Sequence, residues 1–136
     1  MNILTGTITE IRTEGNLSLI TVGSGGLLLH AIVIDTPDAN PLLAPGKNVQ
    51  ILFKETETII AKGWQGGLSI RNRIPCRIES VEVGALLSLI KMRWKDQEIG
   101  SVITAGAVDE LQLKAGDEVL ALVKTNEVMV GEGSSQ

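Results

Sequence analysis

Shifting the chain by 70 positions aligns residues 1–63 with 71–133 without a gap. Thirteen of these 63 positions hold the same residue. Leu-Ser-Leu-Ile stands at 17–20 and again at 87–90, and Gly-x-x-Val-x-x-Leu-x-Lys-x-x-Glu at 46–57 and 116–127. The remaining identities are Asn2/Asn72, Ile8/Ile78, Leu43/Leu113 and Gly63/Gly133. An ungapped internal repeat means two copies of one unit, and each unit must make sense in about 65 residues. A unit that small buries little by itself, so it leans on its neighbour.

Each copy reads as short strands with one short helix. In copy two, Cys76–Val83 alternates Ile78 and Val81 with polar neighbours. Leu86–Trp94, Glu98–Thr104, Glu118–Lys124 and a short Glu127–Val130 follow, punctuated by Gly84 and Lys95-Asp96. Between Thr104 and Gly116 the period changes, and Val108, Leu111 and Leu113 suit one or two helical turns closed by Gly116. Copy one has Thr36-Pro37-Asp38 at the matching helix start. Gly23–Gly26 reads as a hairpin turn. The expected fold is all-β with short helices: two tandem OB-like β-barrels, residues 1–66 and 67–136, packed on one another. Gly63–Gly67 is the linker, and the Gly/Ser-rich end, Gly131–Gln136, is expected to fray.

Several function classes are disfavoured. The net charge is -4, with 12 Lys+Arg against 16 Asp+Glu. The only aromatic residues are Phe53, Trp64 and Trp94. A nucleic-acid barrel needs basic excess and stacking rings, so nucleic acid is not an expected partner. One histidine and one cysteine form no catalytic or metal-ligating set, so neither catalysis nor direct metal coordination is expected. The lone Cys76 suits a reducing compartment. The start of the chain shows no signal-peptide pattern and no window reaches 18 apolar residues, so the expected location is cytoplasmic, without membrane insertion.

Three segments of copy two stand out together: Ser69-Ile70-Arg71-Asn72, Ile103-Thr104-Ala105 and Leu122-Val123-Lys124-Thr125. This trio resembles the Mop family of molybdate-binding domains, also called the TOBE or molbindin type, over nearly the whole chain. The resemblance implies OB-like barrels that bind molybdate or tungstate inside the cell for storage or homeostasis, without cofactor. An alternative is a regulatory or oligomerisation module of a molybdate-transport ATPase, with possible contact to the transporter. It also implies a homo-oligomer, a trimer before a dimer, with anion sites between barrels. By the same resemblance Ser69, Arg71, Thr104, Lys124 and Thr125 are the oxyanion-binding residues, with Lys54 a weaker candidate. Copy two departs at Ala107, where the family often has a second hydroxyl. Copy one departs further, with Met1 and Ile34 in place of the arginine and threonine.

The chemistry suits those residues. Molybdate offers four acceptor oxygens and no donor, so its site must supply donors and positive charge. Two hydroxyls, a lysine and an arginine do so, and amides near Ala105-Gly106 at a helix start would add more. Four or five charge-assisted bonds of roughly 1.5–3 kcal/mol each reach about micromolar affinity after ordering costs. Plainer roles compete: a loop residue for Ser69, an N-cap for Thr104, a shared structural role for Lys54 and Lys124, a turn hydrogen bond for Asn72, and simple packing for His30 and Cys76.

Overall fold

The computed structural model describes residues 1–133. Its strands are β1 Asn2–Glu14, β2 Leu17–Ser24, β3 Leu27–Val33, β4 Asn48–Phe53, β5 Ile59–Ala61, β6 Asn72–Val83, β7 Leu87–Trp94, β8 Gln97–Thr104, β9 Glu118–Val123 and β10 Met129–Glu132. One α-helix, α1, covers Ala105–Leu111, and single 3-10 turns cover Glu55–Glu57 and Thr125–Glu127. The described residues are therefore all-β with one short helix, folded as two OB-like units.

The two sheets run β10-β4-β1-β2-β3 and β5-β9-β6-β7-β8, and every pairing is antiparallel. Each sheet thus takes four strands from one copy and its fifth from the other. Ile60 lies opposite Ala121, and Val130 opposite Ile51. These pairs are the same contact under the 70-residue offset, which gives the molecule an internal two-fold relationship. The sequence halves and the sheets do not coincide.

The repeated residues explain why both copies bend alike. The long first strand pairs with two neighbours in succession, and its register shifts between Ile8 and Glu10 in β1 and between Ile78 and Ser80 in β6. Such a bulge turns a strand from one partner to the next. Just before it, Ile8 donates to Lys47 O at 2.9 Å and accepts from Gly46 N at 2.8 Å. Ile78 repeats this with Asp117 O and Gly116 N at the same distances. Gly46 and Gly116 hold φ of 89° and 94°, which only glycine adopts freely. The inward faces are aliphatic, with Leu4, Ile20, Val22, Ile74, Ile90 and Ile99 all fully buried.

Three expectations need correction. Copy one has no helix at Thr36-Pro37-Asp38. Turns replace it, because Pro41 lacks the N–H that an α-turn would direct to the Pro37 carbonyl. Asp35 holds that loop instead, accepting from Thr36 N at 2.9 Å and Asn40 Nδ2 at 3.0 Å. At the chain end, Gly131 and Glu132 are not frayed but belong to β10. The rest of that expectation falls on residues 134–136, outside the described residues. Glu127, expected to open the last strand, lies in the 3-10 turn.

Candidate anion-binding site

The predicted donors fall in two places. Asn72 and Val123 are the last paired residues of β6 and β9, so Arg71 and Lys124 leave the sheet side by side. Thr125 opens the 3-10 turn directly after Lys124. Ser69 lies two residues before Arg71, in a loop that Arg73 pins: its guanidinium donates to Ile70 O at 2.8 Å and Leu68 O at 2.6 Å. Ser69, Arg71 and Lys124 are all exposed, and among the described residues no side chain pairs with them. The fold thus collects two cations and two hydroxyl residues, Ser69 and Thr125, at one end of copy two.

Thr104 is elsewhere. It ends β8, which packs on the Glu55–Glu57 turn of copy one, whereas the Thr125–Glu127 turn packs on β3. Its hydroxyl is the N-cap of α1, accepting from Ala107 N at 3.1 Å. The Ala105 amide is committed, donating to Leu86 O at 2.8 Å, whereas the Thr104 hydroxyl, which only accepts here, keeps its own proton to donate. Within one chain, then, Thr104 and Ala105 serve the helix start, and an anion at Arg71 and Lys124 does not draw on them.

The matching end of copy one is built differently. Lys54 leaves β4 beside Met1, as Lys124 leaves β9 beside Arg71. Glu55 stands where copy two has Thr125, and its carboxylate accepts from the Met1 ammonium at 2.7 Å. That bond, with one to its own backbone, holds the Glu55 carboxyl below the usual range. A carboxylate there repels a dianion. Sequence reasoning found the missing arginine and hydroxyls of copy one but not Glu55. It also missed Arg73, although the arginine two places after Arg71 was the available signal.

His30 sits at the junction of the two copies. Burial lowers its pKa, the nearby Arg71 lowers it further, and Glu10 opposes both. The Thr21 hydroxyl lies 3.2 Å from its Nδ1. Cys76 is buried, and desolvation pushes its thiol up to about 12, so it is inert at neutral pH. An open cleft of about 470 Å³ is lined by Trp64, Arg77, Arg93 and Glu118 among others, and none of the predicted donors lines it. Among the described residues no cluster of His, Cys, Asp or Glu could hold a metal ion, and no helix is long and apolar enough to cross a membrane.

Repeat and fold define a tandem of two OB-like barrels. The TOBE domain matches residues 1–60 and 68–130, and the chain belongs to that family. It is 29% identical over 124 residues to the molybdenum import ATP-binding protein ModC of Rhizobium etli, covering 90% of this chain and 32% of that one. It is 36% identical over 72 residues to the molybdenum-pterin-binding protein MopB of Rhodobacter capsulatus, covering 52% and 27%. It is 30% identical over 135 residues to the molybdenum transport protein ModE of Herbaspirillum seropedicae, covering 95% and 49%. The chain therefore spans between a quarter and a half of these relatives. Among solved structures it is similar to the cytoplasmic molybdate-binding protein ModG with molybdate bound, at a TM-score of 0.87 and 28% identity, over 96% of this chain and 95% of that one.

Proposed function

We propose that this chain binds molybdate or tungstate, without catalysis, as a cytoplasmic store or buffer of the anion. The observation that carries this is the likeness to ModG, a molybdate-bound protein, over nearly the full length of both chains. The paired Arg71 and Lys124, with Ser69 and Thr125 beside them, supply the donors and charge a dianion needs on leaving water.

Thr104 joins the site only from a neighbouring molecule. Around it the surface is apolar: Leu87, its partner across β7 and β8, is 57% exposed, Leu86 81% and Val83 65%. Contiguous apolar surface of this kind suits a subunit interface. A homotrimer in which one copy-two end meets the helix start of the next chain would complete the donor set.

A second reading, a regulatory module working with a transport ATPase, is favoured by the match to ModC over 90% of this chain. Native mass spectrometry with molybdate, and with sulfate as control, separates the two. The storage reading expects an oligomer carrying about one molybdate per chain. An oligomer that takes up no molybdate would favour the regulatory reading.

A further inference from the structure

The exchanged fifth strands end in opposite charges. Lys62 follows β5, and its equivalent under the offset, Glu132, ends β10. Lys62 reaches into copy two, where Nζ lies 3.0 Å from Asp117 Oδ2 and donates to the carbonyls of Leu111 and Gln112, each at 3.0 Å. Those carbonyls close α1, so the ammonium sits at the negative end of a helix. Lys62 is also the first cause of the low pKa of Asp117, about 2, with Lys114 second. On the other side of the two-fold, Glu132 lines a pocket with Lys47, Pro41 and Leu42. These are the equivalents of Asp117, Leu111 and Gln112, so the signs at the matching positions are inverted, although Glu132 and Lys47 share the pocket without a direct ion pair.

An alternative pairing is available to the chain, because β5 and β10 occupy equivalent places on β9 and β4. Were each copy to keep its own fifth strand, Lys62 would meet Lys47, and Glu132 would meet Asp117 and two helix-end carbonyls. Both contacts would be repulsive. A hydroxyl contact adds to the preference: Ser101 Oγ donates to Thr58 O at 2.6 Å across the copies, while the equivalent positions hold Ala31 and Val128, both buried.

We infer that Lys62 and Glu132 are complementary labels that fit each fifth strand to the unlike copy and reject its own, so that the two halves are specialised as partners for each other. Like halves cannot replace one another, because two copy-one halves would set Lys62 against Lys47 and two copy-two halves would set Glu132 against Asp117. Specificity here comes as much from the repulsion built against the wrong pairing as from attraction in the right one.

The test uses the full chain. Lys62→Glu with Glu132→Lys leaves net charge unchanged but reverses both labels. Its urea midpoint should fall, and the NMR contacts Ile60–Ala121 and Val130–Ile51 should weaken or give way to Ile60–Ile51 and Val130–Ala121. Adding Lys47→Glu and Asp117→Lys should recover at least half of the lost midpoint and restore the original contacts. A double variant with the wild-type midpoint and contacts would overturn the inference. So would a fourfold variant no better than the double, including one that fails to fold.

Discussion

The side chain of Asn72 forms a closed pair with the backbone of His30, donating to its carbonyl at 2.8 Å and accepting from its N–H at 2.7 Å. Asn2 does the same with Gly100, at 2.9 and 2.8 Å. The two contacts are equivalent under the repeat, and both asparagines are buried. Each side-chain amide acts as a strand edge and stitches one copy to the other. Asn72→Ala leaves a buried N–H and C=O without partners and should cost about 2–4 kcal/mol, read as a lower urea midpoint with little change in slope. Asn72→Asp, which cannot donate, should recover only part. A loss below about 0.5 kcal/mol would show that the junction does not depend on this pair.

His30 reports on Arg71. Its folded pKa lies below its unfolded value, so its contribution to stability is present above about pH 6.5 and is lost as pH falls through the folded pKa. An anion bound at Arg71 cancels a cation that depresses this pKa. In proton NMR the ring of the single histidine should titrate at higher pH once molybdate is added, and Arg71→Ala should raise it without anion. An unmoved titration under saturating molybdate would place the anion away from Arg71.

Two equivalent serines should respond oppositely to the same change. Ser18 donates to Asp35 O at 2.7 Å and lies 2.9 Å from the Thr13 hydroxyl. In copy two Val83 stands where Thr13 does and offers no hydroxyl, the Ala105 carbonyl takes no bond from Ser88 as that of Asp35 does from Ser18, and the Ser88 hydroxyl is buried without a partner. Ser18→Ala should cost roughly 1 kcal/mol, while Ser88→Ala should be neutral or stabilise by up to about 1 kcal/mol. Thermal unfolding of both variants decides it, and equal losses would contradict the assigned partners.

Copy one supplies its own experiment on the site. Glu55 stands where copy two has Thr125, so Thr125→Glu gives copy two the carboxylate that copy one carries at this place. A carboxylate beside the bound dianion should weaken molybdate binding at least tenfold by Coulomb repulsion, with the unfolding midpoint nearly unchanged because Thr125 is only half-buried. Binding at wild-type affinity would remove Thr125 from the site.

The repeat was legible because thirteen identities recur at one offset, and the strands because apolar and polar residues alternate. Fifth-strand exchange was not legible, since β5 and β10 carry the same pattern whichever sheet receives them. The helix expected at Thr36-Pro37-Asp38 rested on its start alone, while the residue that bars it, Pro41, lies one turn further on. Residue type pointed to Arg71 and Lys124, and the register brings them together. The separation of Thr104 from them, and the pinning of the Ser69 loop by Arg73, depend on contacts between elements that no local spacing encodes.

Copy two is expected to carry the anion site and copy one to lack it. Titration calorimetry of Lys124→Ala and Lys54→Ala with molybdate, and with sulfate as control, tests it most directly. Lys124→Ala should lose roughly 1.5–3 kcal/mol of binding, about ten- to hundredfold, while Lys54→Ala stays within error of wild type. Equal losses would give copy one an equivalent site, and no loss in either variant would remove both lysines from the anion.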